Sequence, residues 1–323
     1  MANEKIEFLP VDVYSFLGRE LVIRSNSPEL LDHLKSIYNR FYLGCDDTPS
    51  TRQAAWEDTA RPGMQIIDKR ADSDELLIDD KHYLYRLSRV DGYSYYTSQN
   101  LKTHADDLAG FCDPLTLLQS SLLRTVDILA TNHHLIHAGV VSWRNEGIVF
   151  PATSGLGKTT LVLKLVKGGC GFLSDEVACF DPDRGLVEPF PRKLNVRSDS
   201  LELLGLRLRD CAGDDSPKAD TFEESLDIEE IVPGCLADQC KPRFIIFLRG
   251  FGDKPRLEFV SASNAAFRLL NPSIGPIDDP GSLLFRFAPL LNEAQCYNLV
   301  VGDLNETAEL VMQLLDGKKP VDK

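Results

Sequence analysis

The sequence predicts an α/β core over residues 131–323, preceded by an α+β module over residues 1–130. Two observations carry this prediction. Within residues 147–167 a strand-like run, a glycine-rich loop and a helical pattern follow one another, which is the order of elements in an α/β unit. Before residue 130, two amphipathic helix patterns flank a tyrosine-rich stretch with a strand pattern. The boundary between the two parts is therefore expected near residue 130.

Three segments of the front module carry local signals. Ser27–Arg40 starts with a Ser-Pro pair and has leucines at helical spacing, which predicts a capped helix. Glu75–Arg89 is followed by Asp91-Gly92 and the run Tyr93–Ser98, which predicts a β-hairpin around an Asp-Gly turn. Asp113–Asn132 has apolar residues every three or four positions and predicts a long helix.

The core is expected to consist of short strands and helices. Arg207–Cys240 is acidic and contains Gly, Pro and Asp, so it predicts a surface insertion or flexible loop. The predicted strands are Leu135–Trp143, Ile148–Phe150, Gly171–Leu173, Val177–Phe180, Leu186–Phe190, Arg243–Leu248 and Tyr297–Val301, and the predicted helices are Thr159–Lys167, a segment near Asn264–Leu270 and one from about Asn305.

Composition limits the classes of function. The 323 residues carry a formal net charge of −14, with a pI near 4.9. A strongly acidic surface repels nucleic acid and anionic membranes, so neither is expected as a partner. Met1–Pro10 lacks the basic and apolar regions of a secretory signal, and no apolar run approaches the ~20 residues that cross a bilayer. The eight cysteines include no C-x-x-C pair and fit reduced thiols, so a cytoplasmic location is expected.

The strongest motif is the glycine-rich loop that begins at Ala152. Glycines let several backbone N–H groups face one anion, and the following helix points its positive end at the same place. Lys158 adds a mobile cation for phosphates, and the Thr159 hydroxyl is a typical Mg²⁺ ligand. The motif has Ala152 where G-x-x-x-x-G-K-[ST] starts with glycine; an ordinary strand–helix turn is the alternative. The predicted nucleotide-binding residues are Thr153, Ser154, Gly155, Leu156, Gly157, Lys158, Thr159 and Thr160.

An acidic pair, Asp175-Glu176, follows the helix of this loop. At a strand end beside a phosphate loop, one carboxylate can hold Mg²⁺ and the other can act as a base, so both are candidate metal ligands together with Thr159. Away from such a loop, the pair would be interpreted as a solvated turn. A carboxylate after a long apolar strand is the usual alternative, but Phe244–Leu248 ends in Arg249, and Asp303 lies late in the chain.

Three of the six histidines lie within 20 residues before the loop. His137 opens a strand-like run and is either a buried core residue or part of the site. His133 and His134 are interpreted as helix-end residues without metal-binding spacing. Among the arginines, Arg192, Arg197 and Arg249 are available to neutralise phosphate charge or are merely solvated.

The stretch from His137 to Phe180 resembles the kinase domain of HPr kinase/phosphorylase and of the HPr-kinase-related kinases found beside peptide-modification genes. The resemblance lies in His137 before Gly139-Val140, the loop through Thr159, and the acidic pair. It implies a P-loop core of the HPr kinase and phosphoenolpyruvate carboxykinase type, with a mixed sheet. It further implies that Asp175 takes the proton of an acceptor hydroxyl, and that Glu176, where the family usually has Asp, pairs with His137 or the metal.

One departure from the family concerns the acceptor. HPr kinases carry a Glu-x-Arg-Gly-x-Gly type signature after the acidic pair, whereas this chain has PFPRKLNVRSD, so HPr is not expected as the substrate. The leading hypothesis is a kinase that uses ATP, or another NTP, with Mg²⁺ to phosphorylate a hydroxyl, such as Ser or Thr of a peptide or protein. The catalytic candidates are Asp175, His137, Glu176, Lys158 and Arg192.

Two alternatives stay open: a kinase of a free amino acid or metabolite, and a non-catalytic nucleotide-binding regulator. The front module would recognise the acceptor or mediate assembly, including homo-oligomer formation.

Overall fold

The computed structural model describes residues 10–46, 62–90, 93–104, 106–151, 155–206, 223–274 and 280–317. The chain divides into two compact units, Met1–Thr131 and Asn132–Lys323. Both are mixed α+β structures built on a mixed sheet. Among the described residues, no helix combines the length and the hydropathy needed to cross a membrane.

The first unit contains an eight-stranded sheet in the order β3-β1-β2-β4-β5-β6-β7-β8. Only the β2–β4 pairing is parallel among the pairings described in this sheet. Its strands are β1 (Val11–Phe16), β2 (Arg19–Ser25), β3 (Tyr42–Asp46), β4 (Gly63–Lys69), β5 (Glu75–Asp79), β6 (Tyr83–Val90), β7 (Tyr93–Asn100) and β8 (Asp106–Phe111), and its helices are α1 (Pro28–Ile37), α2 (Arg70–Ser73) and α3 (Pro114–Leu129).

The two helices and the hairpin predicted for this unit are present, whereas β1 to β4 and β8 were not predicted. α1 starts after Ser27, and α3 starts after Asp113, whose carboxylate accepts from the N–H groups of Leu115 and Thr116. β6 and β7 form the predicted antiparallel hairpin, while its Asp91-Gly92 turn lies outside the described residues.

The second unit contains a sheet in the order β13-β12-β9-β10-β16-β18-β17, with β11 also paired to β9. β16 runs parallel to its neighbours β10 and β18, and the other pairings of this sheet are antiparallel. The strands are β9 (His134–Trp143), β10 (Glu146–Pro151), β11 (Gly171–Ser174), β12 (Val177–Asp181), β13 (Leu186–Glu188), β14 (Leu194–Arg197), β15 (Glu223–Leu226), β16 (Lys241–Phe251), β17 (Arg256–Val260) and β18 (Gln295–Val301).

Helices cover both faces of this sheet. The helices are α4 (Lys158–Lys167), α5 (Ser198–Leu203), α6 (Ile228–Ile231), α7 (Ala262–Leu270), α8 (Pro280–Arg286), α9 (Ala288–Glu293) and α10 (Leu304–Leu315). α4 and α10 bury Val162 and Val311 in one core with Phe150 of β10, while α7 and α9 bury Leu269 and Leu290 on the opposite side. The helix that follows the glycine-rich loop is therefore fixed against the centre of the sheet, because its apolar stripe faces a strand whose residues are nearly all buried.

The acidic segment Arg207–Cys240 was predicted to be a surface insertion or flexible loop, but its described part contains a strand and a helix. Residues 207–222 lie outside the described residues, but β15 pairs with β14, and α6 follows it with Ile228 fully buried. Apolar residues alternate with acidic ones at Leu226 and Ile228, and this alternation gives the segment a face that packs into the core.

Candidate active site

The described part of the connection from β10 to α4 contains two glycines in a left-handed conformation. Gly155 and Gly157 have φ of +87° and +81°, in the left-handed region where glycine carries no penalty. α4 begins directly afterwards, with Gly157 as its N-cap, so the N–H groups of its first turn have no partner within the helix. Residues 152–154, which include the predicted Thr153 and Ser154, lie outside the described residues.

Lys158 reaches from the start of α4 toward the acidic pair. Its ammonium donates to the carbonyl oxygen of Asp175 at 2.6 Å and lies 3.4 Å from Nε2 of His137. The side chain is nearly buried, so its charge acts in a region of low dielectric constant. The structure thus brings together three of the residues that the sequence proposed for catalysis.

Thr159 and Asp175 are joined directly. The Thr159 hydroxyl donates to Oδ2 of Asp175 at 2.7 Å. The second oxygen, Oδ1, is buried and has no hydrogen-bond partner among the described residues. A buried carboxylate oxygen without a partner is costly, so this atom is suited to receive a cation or a proton.

The environment of Asp175 favours its protonated form. Burial raises the pKa of its carboxyl, and this effect outweighs the opposing charge of Lys158 and the hydrogen bond from Thr159. A raised pKa increases the basicity of the carboxylate, which is what a general base requires.

Glu176 has the opposite environment. Its Oε1 lies 3.1 Å from Nδ1 of His137, and its Oε2 accepts from Nη2 of Arg192 at 2.6 Å. Burial opposes ionisation, but the hydrogen bond from His137 and the charges of Arg192 and Lys158 outweigh it and hold the pKa of Glu176 well below its usual range. The two adjacent carboxylates therefore differ in their protonation chemistry: Glu176 is stabilised as an anion, whereas Asp175 binds a proton more readily.

The backbone fixes the acidic pair between β11 and β12. The Ser174 hydroxyl accepts from the N–H groups of Glu176 at 3.1 Å and Val177 at 3.0 Å. The carbonyl of Glu176 in turn accepts from the N–H of Ala138 on β9. These contacts aim the two carboxylates at opposite neighbours, and Ser174 had no signal in the sequence beyond its position before the pair.

Gly139 entered the sequence analysis only as part of the family resemblance, and the structure gives it a packing role. A Cβ at this position of β9 would lie 2.7 Å from Cγ2 of Val162 and 3.3 Å from Cγ of Lys158, with Oδ1 of Asp175 at 3.6 Å. The absence of a side chain lets α4 approach β9 closely enough for the Lys158 contact to form. The available signal is a glycine inside a strand pattern, which typically marks such an approach.

Phe251 lies beside the loop and was also missed. It ends β16 with about two thirds of its surface exposed (68%), and its ring would lie 3.5 Å from a Cβ placed on Gly157. Sequence reasoning cannot find this contact, because it depends on the parallel pairing of β10 with β16.

Other predicted residues lie in different surroundings. The Thr160 hydroxyl donates to Oγ of Ser200 on α5 at 2.8 Å, so the group it presents to the loop is its backbone N–H. Arg197 is half exposed and lies 3.7 Å from Asp199. Asp303 caps α10 by accepting from two N–H groups of its first turn, which explains that carboxylate without a metal. Leu156 packs partly against the core, and Arg249 is exposed on β16.

The residues present fit Mg²⁺ and a nucleotide phosphate. The Thr159 hydroxyl and Oδ2 of Asp175 form an oxygen donor set of the kind that Mg²⁺ prefers, and Oδ1 of the same carboxylate is left without a partner among the described residues. The glycine loop and Lys158 offer backbone dipoles and one cation to an anion. Both oxygens of Glu176 already have partners, so Thr159 and Asp175 are better placed than Glu176 to hold the metal.

Comparisons with known proteins give little sequence support. No protein-family model matches the chain, and no curated protein matches it. Among solved structures, the chain is similar to the Hpr(Ser) kinase/phosphatase from Coxiella burnetii, with a TM-score of 0.33 and 10% sequence identity, over 57% of this chain and 95% of that chain. This is a distant structural relationship, and the functional proposal below rests on the residues of the site.

Proposed function

We propose that this chain is a phosphotransferase that uses ATP, or another NTP, with Mg²⁺ to phosphorylate a hydroxyl group. The observation that carries the proposal is the Thr159–Asp175 hydrogen bond, with Oδ1 of Asp175 buried and without a partner and Lys158 donating to the same residue. Lys158 and Thr159 directly follow two left-handed glycines, Gly155 and Gly157, at the start of a helix. That combination offers a phosphate cradle, a cation site and a base within one cluster.

Each residue has a distinct role in this proposal. The glycine loop and Lys158 bind the β- and γ-phosphates and neutralise their charge. Thr159 and Oδ2 of Asp175 hold Mg²⁺, which supplies further neutralisation when bound. Oδ1 of Asp175 accepts the proton of the acceptor hydroxyl. The hydroxyl oxygen forms the new bond to the γ-phosphorus, and the bond between the γ-phosphorus and the leaving nucleoside diphosphate breaks. His137 and Arg192 hold Glu176 as an anion, and Glu176 keeps the turn of Asp175 in place.

The acceptor that we propose is Ser or Thr of a peptide or protein other than HPr. The chain carries a net charge of −14, so a neutral or basic segment would approach it more readily than an acidic one. The first unit, which contains the tyrosine-bearing hairpin of β6 and β7, would bind the acceptor or mediate self-association. Because the reaction consumes ATP, we place it in the cytoplasm.

The test is incubation of the full chain with γ-labelled ATP, Mg²⁺ and candidate acceptors, followed by mass spectrometry to locate the phosphate. Peptides encoded next to the gene are the first acceptors to try, and free amino acids form the second set. Label on a peptide hydroxyl would support the proposal. Label on a free amino acid or metabolite would show that the acceptor is a small molecule and not a peptide or protein. Binding of ATP without transfer to either set would instead support a non-catalytic regulator.

A further inference from the structure

A second cluster of ligand-bearing side chains lies at the edge of the sheet in the second unit. Nε2 of His133 and one carboxylate oxygen each of Asp181 and Glu188 lie within 4.8 Å of one another. His133 directly precedes β9, while Asp181 and Glu188 end β12 and β13. The sequence interpretation of His133 and His134 as helix-end residues is wrong, because His134 starts a strand, and His133 has two carboxylates beside it.

Strand pairing accounts for this arrangement. Phe180 of β12 is paired with His134 of β9, so the next residues outward, Asp181 and His133, lie opposite each other. Glu188 is paired with Cys179, which is two residues from Asp181 and thus on the same face of β12. The three side chains share one face because of the register. Sequence spacing hides them, since they are separated by 48 and 7 positions as numbered along the chain.

The distances match those between ligands of one metal ion. Bonds of about 2.1 Å place tetrahedral ligands about 3.4 Å apart. Nε2 of His133 lies 3.4 Å from Oε2 of Glu188, and small side-chain rotations suffice to bring in Asp181. The side chains are largely buried, with exposures of 14% for His133, 10% for Asp181 and 23% for Glu188.

The hydrogen bonds described for neighbouring groups leave one possible ligand atom of each of the three side chains free to bind a metal ion. Oδ1 of Asp181 accepts the N–H groups of Asp183 and Arg184. Nη1 of Arg184 donates to Oε1 of Glu188 at 2.6 Å and lies 3.9 Å from Oδ2 of Asp181, while its side chain is half exposed. Arg184 thus orients Glu188 from the solvent side and offsets one of the two negative charges. Nε2 of His133 is buried and has no hydrogen-bond partner among the described residues.

We propose that His133, Asp181 and Glu188 form a binding site for a divalent transition-metal ion of the Zn²⁺ type. One imidazole with two carboxylates suits Zn²⁺, Co²⁺ or Mn²⁺ better than Mg²⁺ or Ca²⁺, which prefer oxygen ligands alone. Three protein ligands leave one position for water. Four residues of a strand span about 13 Å, so this site is separate along β9 from His137 and the phosphate loop. A bound ion would join the ends of β9, β12 and β13.

The test is titration of the metal-depleted full chain with Co²⁺, read by its visible absorption, in a D175N background that removes the carboxylate of the phosphate site. One Co²⁺ per chain, displaced by Zn²⁺ but not by equal Mg²⁺, is the expected result. H133A and D181N should each weaken Co²⁺ binding at least about 10-fold. H82A removes an exposed histidine from the first unit and should change nothing.

Folding of each variant is checked by circular dichroism, and E188Q, which keeps the side-chain shape, replaces any variant that fails to fold. Co²⁺ should also raise the melting temperature of the D175N protein. The melting temperature of the D175N/H133A double variant should not change when Co²⁺ is added. Absence of Co²⁺ absorption in the D175N protein, or equal binding by a folded H133A or E188Q variant, would overturn the proposal and leave Arg184 as the counter-ion of the two carboxylates.

Discussion

The hydroxyl of Thr159 donates to Oδ2 of Asp175 at 2.7 Å, and this bond ties the first turn of α4 to the turn after β11. The two residues are 16 positions apart, and a helix and a strand lie between them. The bond leaves Oδ1 of Asp175 buried and without a partner among the described residues. In the proposed mechanism, Oδ2 of this carboxylate would hold Mg²⁺ and Oδ1 would accept the proton of the acceptor hydroxyl.

The first prediction concerns Asp175→Asn. An amide cannot accept the acceptor proton, so phosphoryl transfer should fall by about 10²- to 10⁴-fold. Binding of the nucleotide with Mg²⁺ should weaken much less, because the glycine loop and Lys158 are unchanged. Single-turnover transfer and a nucleotide-binding titration measure the two effects. Equal loss of both would assign Asp175 to metal binding alone.

The same variant should be more stable than the wild type at neutral pH. Because burial raises the pKa of Asp175, this carboxyl favours folding below its ordinary value of 3.8, and the benefit is lost as pH rises through the folded value. Melting temperatures of wild type and D175N should thus diverge in favour of D175N as pH increases. A difference that does not change with pH would contradict the assigned environment of Asp175.

Much of this site was predictable from sequence, since loop, lysine, threonine and acidic pair are close together along the chain. The pairing of Glu176 with His137 and Arg192 was only partly predictable: a resemblance suggested His137, whereas Arg192 was expected either to neutralise phosphate charge or to be merely solvated. The other contacts of the site depend on the order of the strands in the sheet. Phe251 reaches the loop through the pairing of β16 with β10, and no local pattern in either strand encodes that pairing.

The elements of the fold that the sequence did not predict were missed for the same reason, because they depend on pairing between distant strands. The helices α1, α3 and α4 and the β6–β7 hairpin were predicted from caps, periodicity and one turn. The strands β1 to β4, β8, β14, β15 and β17 were not predicted. Pairing with distant partners stabilises these strands, and such tertiary contacts override weak local propensity.

The second prediction concerns Lys158→Ala. Loss of the ammonium removes the one side-chain cation that the described part of the phosphate loop offers, so ATP affinity should fall by at least about 10-fold and turnover more strongly. Lys164→Ala, in the last turn of the same helix, is the matched control and should retain ATP binding. Unchanged ATP affinity and turnover in K158A would remove the basis of the phosphate-loop assignment.

The third prediction concerns Glu176→Gln. The variant removes the negative charge that pairs with Arg192 and His137, and at pH 7 the loss of this largely buried ion pair should cost about 3 kcal/mol of the free energy of unfolding. The folded pKa of Glu176 is lowered, so its stabilisation is present above its ordinary value of 4.5 and is lost as pH falls below it. Urea unfolding at several pH values should show the gap closing in acid. The exposed control E202Q should show little effect at any pH.

The fourth prediction concerns Gly139→Ala. The added methyl group would lie 2.7 Å from Cγ2 of Val162, so α4 must move away from β9, at a cost of about 1–3 kcal/mol. The shift should also weaken ATP binding, because Lys158 moves with the helix. A double-mutant cycle with Val162→Ala identifies the cause: the cost of G139A should shrink in the V162A background. Strictly additive costs would exclude the close approach to Val162 as the reason.

The fifth prediction concerns the charge of the acceptor. The net charge of −14 disfavours acidic substrates, whereas the phosphate loop attracts anions only through backbone dipoles and Lys158, over a short range. For two peptides with the same Ser and opposite flanking charges, kcat/KM should be about 10-fold higher for the basic one at low salt. Raising the ionic strength should reduce this ratio, because screening shortens the range of the repulsion. A higher kcat/KM for the acidic peptide, or a ratio that salt does not change, would mean that local contacts and not the overall field select the acceptor.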